Sequence, residues 1–342
     1  MIPKILGTAP SGERLKRIQH SPNYAGDVFQ NPEPTDMVLK DASFFKMLRK
    51  FLNKSPNTVP PVPPPVIHTN IRSLEAADKP QIVWFGHSSY YILTKQASIL
   101  VDPVFSGRAS PIPGFAKAFP GSNIYGPDDF DQIDVLVLTH DHYDHLDYQT
   151  IQELAPKVGR FVTALGVGSH LEYWGIEPAR IVELDLWEST EPKPYLQLTS
   201  VPGRHFSGRT FKRNQTLWCG FVLNLEGYRL FLGGDSGYGE HFAEIGRRFG
   251  PFDLAFLECG QYGENWPDIH MLPEQTVQAA QDLGAKVLLP VHWAKFTLAF
   301  HDWNEPIKRV VKAAEKAHLC IVTPKIGEVV TLKERYPMNE WW

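Results

Sequence analysis

A chain of 342 residues that is 43% hydrophobic and 21% charged can bury a large core, and reads as one big domain or a domain with an extension. A formal net charge of -4 lacks the basic excess that nucleic-acid binding usually leaves, so nucleic acid is not an expected partner. Cys219, Cys259 and Cys320 are scattered and form no CxxC pair, which excludes a disulfide framework and points to a reducing cytoplasm.

The N-terminus, Met1-Ile2-Pro3-Lys4-Ile5-Leu6, has no continuous apolar run, and no segment approaches the roughly 20 apolar residues needed to span a bilayer. The expected location is cytoplasmic, with any membrane contact peripheral and at the inner face. Residues 43–54 set Phe44, Phe45, Leu48, Phe51 and Leu52 at helical spacing, with Lys46, Arg49, Lys50 and Lys54 between them. Such a helix either packs on the body or offers a basic, aromatic face to lipid head groups or an acyl substrate. Val59-Pro60-Pro61-Val62-Pro63-Pro64-Pro65 cannot form a helix or central strand and reads as an extended connector. Residues 1–80 are therefore expected to be an N-terminal extension, and 81–342 the catalytic domain.

From Gln81 onward apolar runs alternate with turns. Strands are expected at Ile82 to Phe85, Tyr90 to Leu93, Ser98 to Val101, Val135 to Leu138, Phe161-Val162, Leu196 to Val201, Trp218 to Leu225, Arg229 to Leu232, Leu254 to Leu257 and Lys286 to Val291. Helices are expected at Tyr148 to Lys157, His241 to Arg248, Pro273 to Leu283 and Pro306 to Ala317. No Gly-rich phosphate loop or dinucleotide fingerprint appears, so the pattern suggests stacked sheets covered by helices.

The chemistry concentrates after Val135 to Leu138, where His140-Asp141-His142-Tyr143-Asp144-His145 puts three imidazoles and two carboxylates within six residues. Imidazole and carboxylate suit zinc, iron or manganese, and a strand end is rigid enough to converge several of them on one point. Three further strand ends carry the same residue types: Val201-Pro202-Gly203-Arg204-His205, Leu232-Gly233-Gly234-Asp235 and Val291-His292. Each follows an apolar run and precedes a loop, where a side chain can enter a cleft from a fixed backbone.

The HxHxDH run followed in order by His205, Asp235 and His292 resembles the metallo-β-lactamase superfamily over roughly Gln81 to Glu328. Within it, Trp84-Phe85-Gly86-His87-Ser88-Ser89, Asp102-Pro103-Val104-Phe105-Ser106, His142 to Tyr148, Gly233 to Tyr238 and Phe249 to Ala255 are similar to the N-acylphosphatidylethanolamine-hydrolysing phospholipase D group. The resemblance implies an α/β (α+β) fold, the four-layer αββα sandwich, with the site along one edge of its two sheets. It also implies two divalent metal ions, zinc first with iron or manganese as alternatives. His140, His142 and His205 would hold one and Asp144, His145 and His292 the other, with Asp235 and a water or hydroxide bridging them. Two metals roughly 3.5–4 Å apart can make that hydroxide available near neutral pH.

Asp141, between two ligands, is assigned to loop structure. Asp102 is suited to orient a ligand histidine, against the alternative of a plain turn aspartate. Asp147 either protonates a leaving group or caps the helix beginning near Tyr148. His270 matches a histidine of the phospholipase D group and is expected to contact a phosphate oxygen. His87 is expected to order its turn, and His20, His68, His170, His241, His301 and His318 to pack or face solvent. Trp266, Trp293, Phe296, Phe300 and Trp303 lie near the expected ligands in sequence, although tryptophans in a β-rich protein are mostly core. The residues from Ser106 to Asp134 form an expected loop over the site.

Dinuclear sites of this kind hydrolyse phosphodiesters, lactones, thioesters and β-lactams alike. Resemblance selects a phosphodiesterase of phospholipase D type, with a small-molecule or phospholipid substrate. A lactonase or carboxyl-ester hydrolase on a small phosphorylated substrate is the alternative, and a metal-containing binding protein without hydrolysis a third reading. A homodimer is compatible with the sequence.

Overall fold

The computed structural model describes residues 3–39, 49 and 53–342. The amphipathic helix expected over 43–54 therefore lies outside the described residues, apart from Arg49, Asn53 and Lys54. Near the N-terminus, a helix at Gly12–Gln19 precedes a two-stranded hairpin of β1 (Tyr24–Ala25) and β2 (Val28–Phe29). The apolar runs that follow become β3 (Gln81–Trp84), β4 (Tyr90–Leu93), β5 (Ser98–Val101), β6 (Ile133–Leu138), β7 (Val158–Ala164) and β8 (Ile181–Leu184). The second half supplies β9 (Ser189–Lys193), β10 (Leu196–Val201), β11 (Gly220–Leu225), β12 (Tyr228–Leu232), β13 (Leu254–Glu258), β14 (Val287–Val291), β15 (Cys320–Ile321) and β16 (Val329–Thr331).

These strands form two seven-stranded sheets, ordered β16-β3-β4-β5-β6-β7-β8 and β15-β14-β13-β12-β11-β10-β9. Each sheet is antiparallel in one half and parallel in the other: β5 to β8 run parallel in the first, β12 to β15 in the second. Every residue of β5, β13 and β14 is buried, as expected of parallel strands covered on both faces. The inner faces meet where Tyr90 of β4 stacks on Phe256 of β13, with ring centroids 3.9 Å apart.

Helices cover the outer faces. Pro273–Asp282 packs on β13 and Glu305–Lys316 on β15, while Gly168–Tyr173 packs on β8. The result is the four-layer αββα sandwich. Residues 3–39 lie along this body: Trp174 Nε1 donates to the Lys4 carbonyl at 2.8 Å, Arg14 pairs with Glu183 at 2.6 Å, and the Leu39 amide donates to the Asn265 carbonyl at 2.9 Å.

Several elements depart from the sequence pattern. The helix begun at Tyr148 stops at Leu154, and Ala155–Lys157 tightens into a 3₁₀ turn, because Pro156 has no amide to donate. Strand β9, Ser-Thr-Glu-Pro-Lys, is a partly exposed edge strand whose proline and charges suit an edge and hide it from a search for apolar runs. Strands β8, β15 and β16 and the helices Gly12–Gln19 and Gly168–Tyr173 are additions of the same kind, short or only partly buried. No helix among the described residues is long and apolar enough to cross a membrane.

Candidate metal centre

The parallel halves of both sheets deliver polar residues to one edge, at the carboxyl ends of their strands. Strand β5 is followed by Asp102, β6 by Thr139 and the run His140 to His145, β12 by Gly233-Gly234-Asp235, and β14 by His292, while β13 ends on Glu258. A Cβ at Gly233 would stand 2.4 Å from the Phe256 carbonyl oxygen, and one at Gly234 2.6 Å from that of Cys219. Only glycine allows the chain to carry Asp235 so close between its neighbours.

Three overlapping groups of potential ligand atoms converge there, of which Asp235, Glu258, His270 and His292 form one, and the other two hold the residues expected from sequence. In the first of these two, His142 Nδ1 is 3.0 Å from His140 Nε2 and 3.2 Å from His205 Nε2. Asp235 Oδ2 lies 3.7 Å from both His140 Nε2 and His205 Nε2. In the second, Asp144 Oδ2 is 3.4 Å from His292 Nε2 and 3.7 Å from His145 Nε2, and Asp235 reaches both rings, at 3.2 Å to His292 and 3.1 Å to His145. Asp235 is thus the carboxylate shared by the two groups. All seven residues expected from sequence are brought together, and His87 joins the second group.

The outward-facing ring nitrogens are also held. His145 Nδ1 is 2.8 Å from Asp102 Oδ2, and Asp102 also accepts the Thr139 amide at 2.9 Å and hydroxyl at 2.6 Å. His205 Nδ1 donates to the Ile269 carbonyl at 2.9 Å. Glu258, which the sequence reading passed over, accepts the Ser236 and Met271 amides, lies 3.3 Å from His292 Nδ1, and takes His270 Nδ1 at 2.6 Å. Its only signal in sequence is a carboxylate closing an apolar strand. Such partners fix the tautomer of a ligating imidazole so that the other nitrogen faces inward.

The donor set fits metal. Buried Nε2 of His145 and Oδ1 of Asp235, 3.1 Å apart, make no hydrogen bond, and each such orphan costs about 1–3 kcal/mol. Burial lowers the basicity of His140 and His205 and pushes His142 down to about 4, which favours the neutral imidazoles that can ligate a metal. Burial also opposes charge on His145, but Asp235, Asp144 and Asp102 outweigh it and push the ring up to about 10. The second group is therefore rich in negative charge, and a divalent cation can supply the compensation that a proton would otherwise provide.

The centre floors a cleft of about 910 Å³, reached by His142, Asp144, His205, Asp235, His270 and His292. Its walls include Met37, Val38, Ile112, Phe206, Phe211, Trp266 and Leu298, with Arg213 beside Phe206. Met37, Val38, Ile112, Phe211 and Leu298 are exposed, Phe211 completely. The loop after Ser106 does reach the site, through Ala109, Pro111 and Ile112.

Other expected residues fall elsewhere. Asp147 is absent from the cleft lining; it accepts the Ser106 amide at 2.9 Å, the Thr150 hydroxyl at 2.6 Å and the Gln149 amide at 3.3 Å, and so caps its helix. Asp141 accepts the Gly208 amide at 2.7 Å and lies 3.2 Å from His170 Nε2, while Arg209 holds the Asp141 and Leu146 carbonyls at 2.7 and 2.8 Å. His170 is thus a buried support of the ligand loop. Trp293 stacks on Trp84, Phe296 packs edge-on against His87, and Phe300 and Trp303 pack against Trp266 and Trp341.

Comparison with known proteins agrees with this geometry. The family model described as "Beta-lactamase superfamily domain" matches residues 97–293. The protein Rv0906 of Mycobacterium tuberculosis is 37% identical over 339 residues, covering 95% of this chain and 88% of its own length. The N-acyl-phosphatidylethanolamine-hydrolyzing phospholipase D of Saccharomyces cerevisiae is 30% identical over 252 residues, which are 68% of this chain and 51% of that protein. Among solved structures, Igni18, a metallo hydrolase of Ignicoccus hospitalis, superposes with a TM-score of 0.57 at 21% identity, covering 75% of this chain and 100% of that one.

Proposed function

The chain belongs to the metallo-β-lactamase superfamily and is a metal-dependent hydrolase, and from that premise we propose that it is a two-metal phosphodiesterase of phospholipase D type. The observation that carries this reading is the cleft: one His/Asp centre at its floor and apolar walls rising to exposed Phe211, Ile112 and Leu298. An amphiphile with a phosphodiester at one end and acyl chains at the other matches that polarity. The named activity of the yeast relative supports the same class.

His140, His142 and His205 would hold one ion, Asp144, His145 and His292 the other, and Asp235 both. When bound, such a pair supplies Lewis acidity toward phosphoryl oxygens and lowers the pKa of water. Asp102, Glu258 and the Ile269 carbonyl keep the ligating nitrogens turned inward. His270, with Nδ1 committed to Glu258, addresses the cleft through Nε2, from which a proton can reach the departing alcohol. The water oxygen bonds to phosphorus, the bond to the head-group oxygen breaks, and that oxygen leaves as the alcohol.

The test is a hydrolysis screen of metal-loaded protein on phospholipids, water-soluble phosphodiesters, lactones and carboxyl esters, with elemental analysis of the same preparation. Release of head-group alcohol from a phospholipid is expected. Lactone or ester opening with inert phosphodiesters would overturn the phosphodiesterase reading, and no turnover of any class would overturn both.

A further inference from the structure

We propose that His87 is a positioning residue for the second ion, holding one oxygen of Asp144 from a neighbouring loop of the same sheet so that Asp144 is presented in a single orientation. The inference rests on the two-ion reading above. His87 follows β3, in a turn where Gly86 and His87 have φ of 82° and 54°, a conformation that a non-glycine residue adopts only when its surroundings compel it. Its side chain is wholly buried, and Nε2 lies 2.9 Å from Asp144 Oδ2. Its ring sits 4.1 Å from that of His292, centroid to centroid, with Phe296 edge-on at 5.2 Å.

Loop order alone does not account for an imidazole here. The turn is already fastened by backbone: the His87 amide donates to the Trp293 carbonyl at 2.8 Å, the His292 amide donates to the His87 carbonyl at 3.0 Å, and Trp84 Nε1 donates to that same carbonyl at 2.8 Å. Meanwhile His87 Nδ1 is buried with no hydrogen-bond partner, an arrangement that an apolar side chain would avoid. The one polar contact of the ring is the Asp144 oxygen. Asp144 also stands 3.4 Å from His292 Nε2, so His87 joins two residues of the second group, one by side chain and one by backbone.

Zinc-loaded protein dialysed against graded chelator tests this without reference to any substrate. Wild type is expected to carry two ions per chain, and His87→Ala to release one of them with about 10–100-fold weaker retention while the other is held as in wild type. His87→Gln, which can still offer an N–H toward Asp144, is expected to restore retention and to leave the visible absorption of the cobalt-loaded protein unchanged. His87→Leu, which fills the pocket without a donor, repeats the comparison should the alanine variant collapse. Two ions retained normally by His87→Ala and His87→Leu would overturn the proposal alone, as would a cobalt spectrum of His87→Gln altered in the manner of a lost ligand. A wild-type chain that holds one ion would overturn the two-ion reading and this inference together.

Discussion

Asp102→Asn is the sharpest probe of how the scaffold controls the centre, because it keeps the shape of the side chain and changes only hydrogen-bond direction. Asp102 Oδ1 accepts the Thr139 amide at 2.9 Å, while Oδ2 accepts the Thr139 hydroxyl at 2.6 Å and faces His145 Nδ1 at 2.8 Å. An asparagine amide must put its NH₂ in one of these places. Toward Thr139 N it sets two donors against each other, a buried mismatch worth about 1–3 kcal/mol. Toward Thr139 Oγ1 the hydroxyl can turn and accept, but His145 Nδ1 must then be bare, and the proton moves to Nε2. That is the nitrogen 3.1 Å from Asp235 Oδ1, and once protonated it has no lone pair for a metal. A lost outer partner of this kind costs about 10–100-fold in affinity, or about 1.4–2.7 kcal/mol. Dialysis of zinc-loaded variant and wild type against graded chelator, followed by elemental analysis, reads the effect, and the unfolding midpoint of the chelated proteins controls for the fold. One ion is expected to leave early. If Asp102→Asn released both ions in parallel with wild type, the tautomer argument would be wrong.

Other residues give independent outcomes. Asp235→Ala removes the carboxylate shared by both groups and is expected to drop turnover below detection, with circular dichroism of the folded state retained; an active variant would sink the two-ion mechanism. Phe211→Ala, at a fully exposed position on the cleft wall, should change stability by no more than about 0.5 kcal/mol yet raise KM for long-chain phospholipids relative to short-chain ones; equal KM changes would remove Phe211 from substrate binding. Lys295 is buried, donates to the Phe85 and Val104 carbonyls at 3.2 and 2.9 Å, and has its pKa lowered by burial to about 7 from 10.5. Between those values the unfolded chain binds the extra proton, so the group's contribution to stability is fully present above pH 10.5 and is lost as pH falls through about 7. Denaturant midpoints of wild type should therefore rise from pH 7 to pH 9 more steeply than those of Lys295→Met, and parallel curves would show that the lysine titrates elsewhere.

The sequence made the candidate ligands legible because they follow apolar runs that read as strands, and because strand ends are where fixed backbone meets open space. The same logic recovered Asp102, which closes β5. It missed Glu258 because that residue closes β13 without a neighbouring histidine in sequence; His270 lies twelve positions on and His292 on another strand. His87 was read as a turn residue, since nothing local shows that its turn packs against the loop after β14. The pattern leaves His170 to pack or face solvent for a similar reason: its partners, Asp141 and the Thr8 amide, are distant in the chain. Local pattern reveals which residues carry chemistry, whereas the partners that orient them are set by tertiary neighbours.

That division has a structural source. Asp102, His87 and the run His140 to His145 come from the first sheet, whereas His205, Asp235, Glu258 and His292 come from the second. Each group of candidate ligand atoms is therefore built from both sheets: the first joins His140 and His142 to His205 and Asp235, the second joins His87, Asp144 and His145 to His292, with Asp235 reaching His145 and His292. The centre spans the interface at which Tyr90 packs on Phe256, so the distance between sheets sets the distance between ligands. A core residue such as Phe256 then acts on the site through geometry, and the hydrophobic contact between the sheets becomes part of what sets the spacing of the candidate ligand atoms.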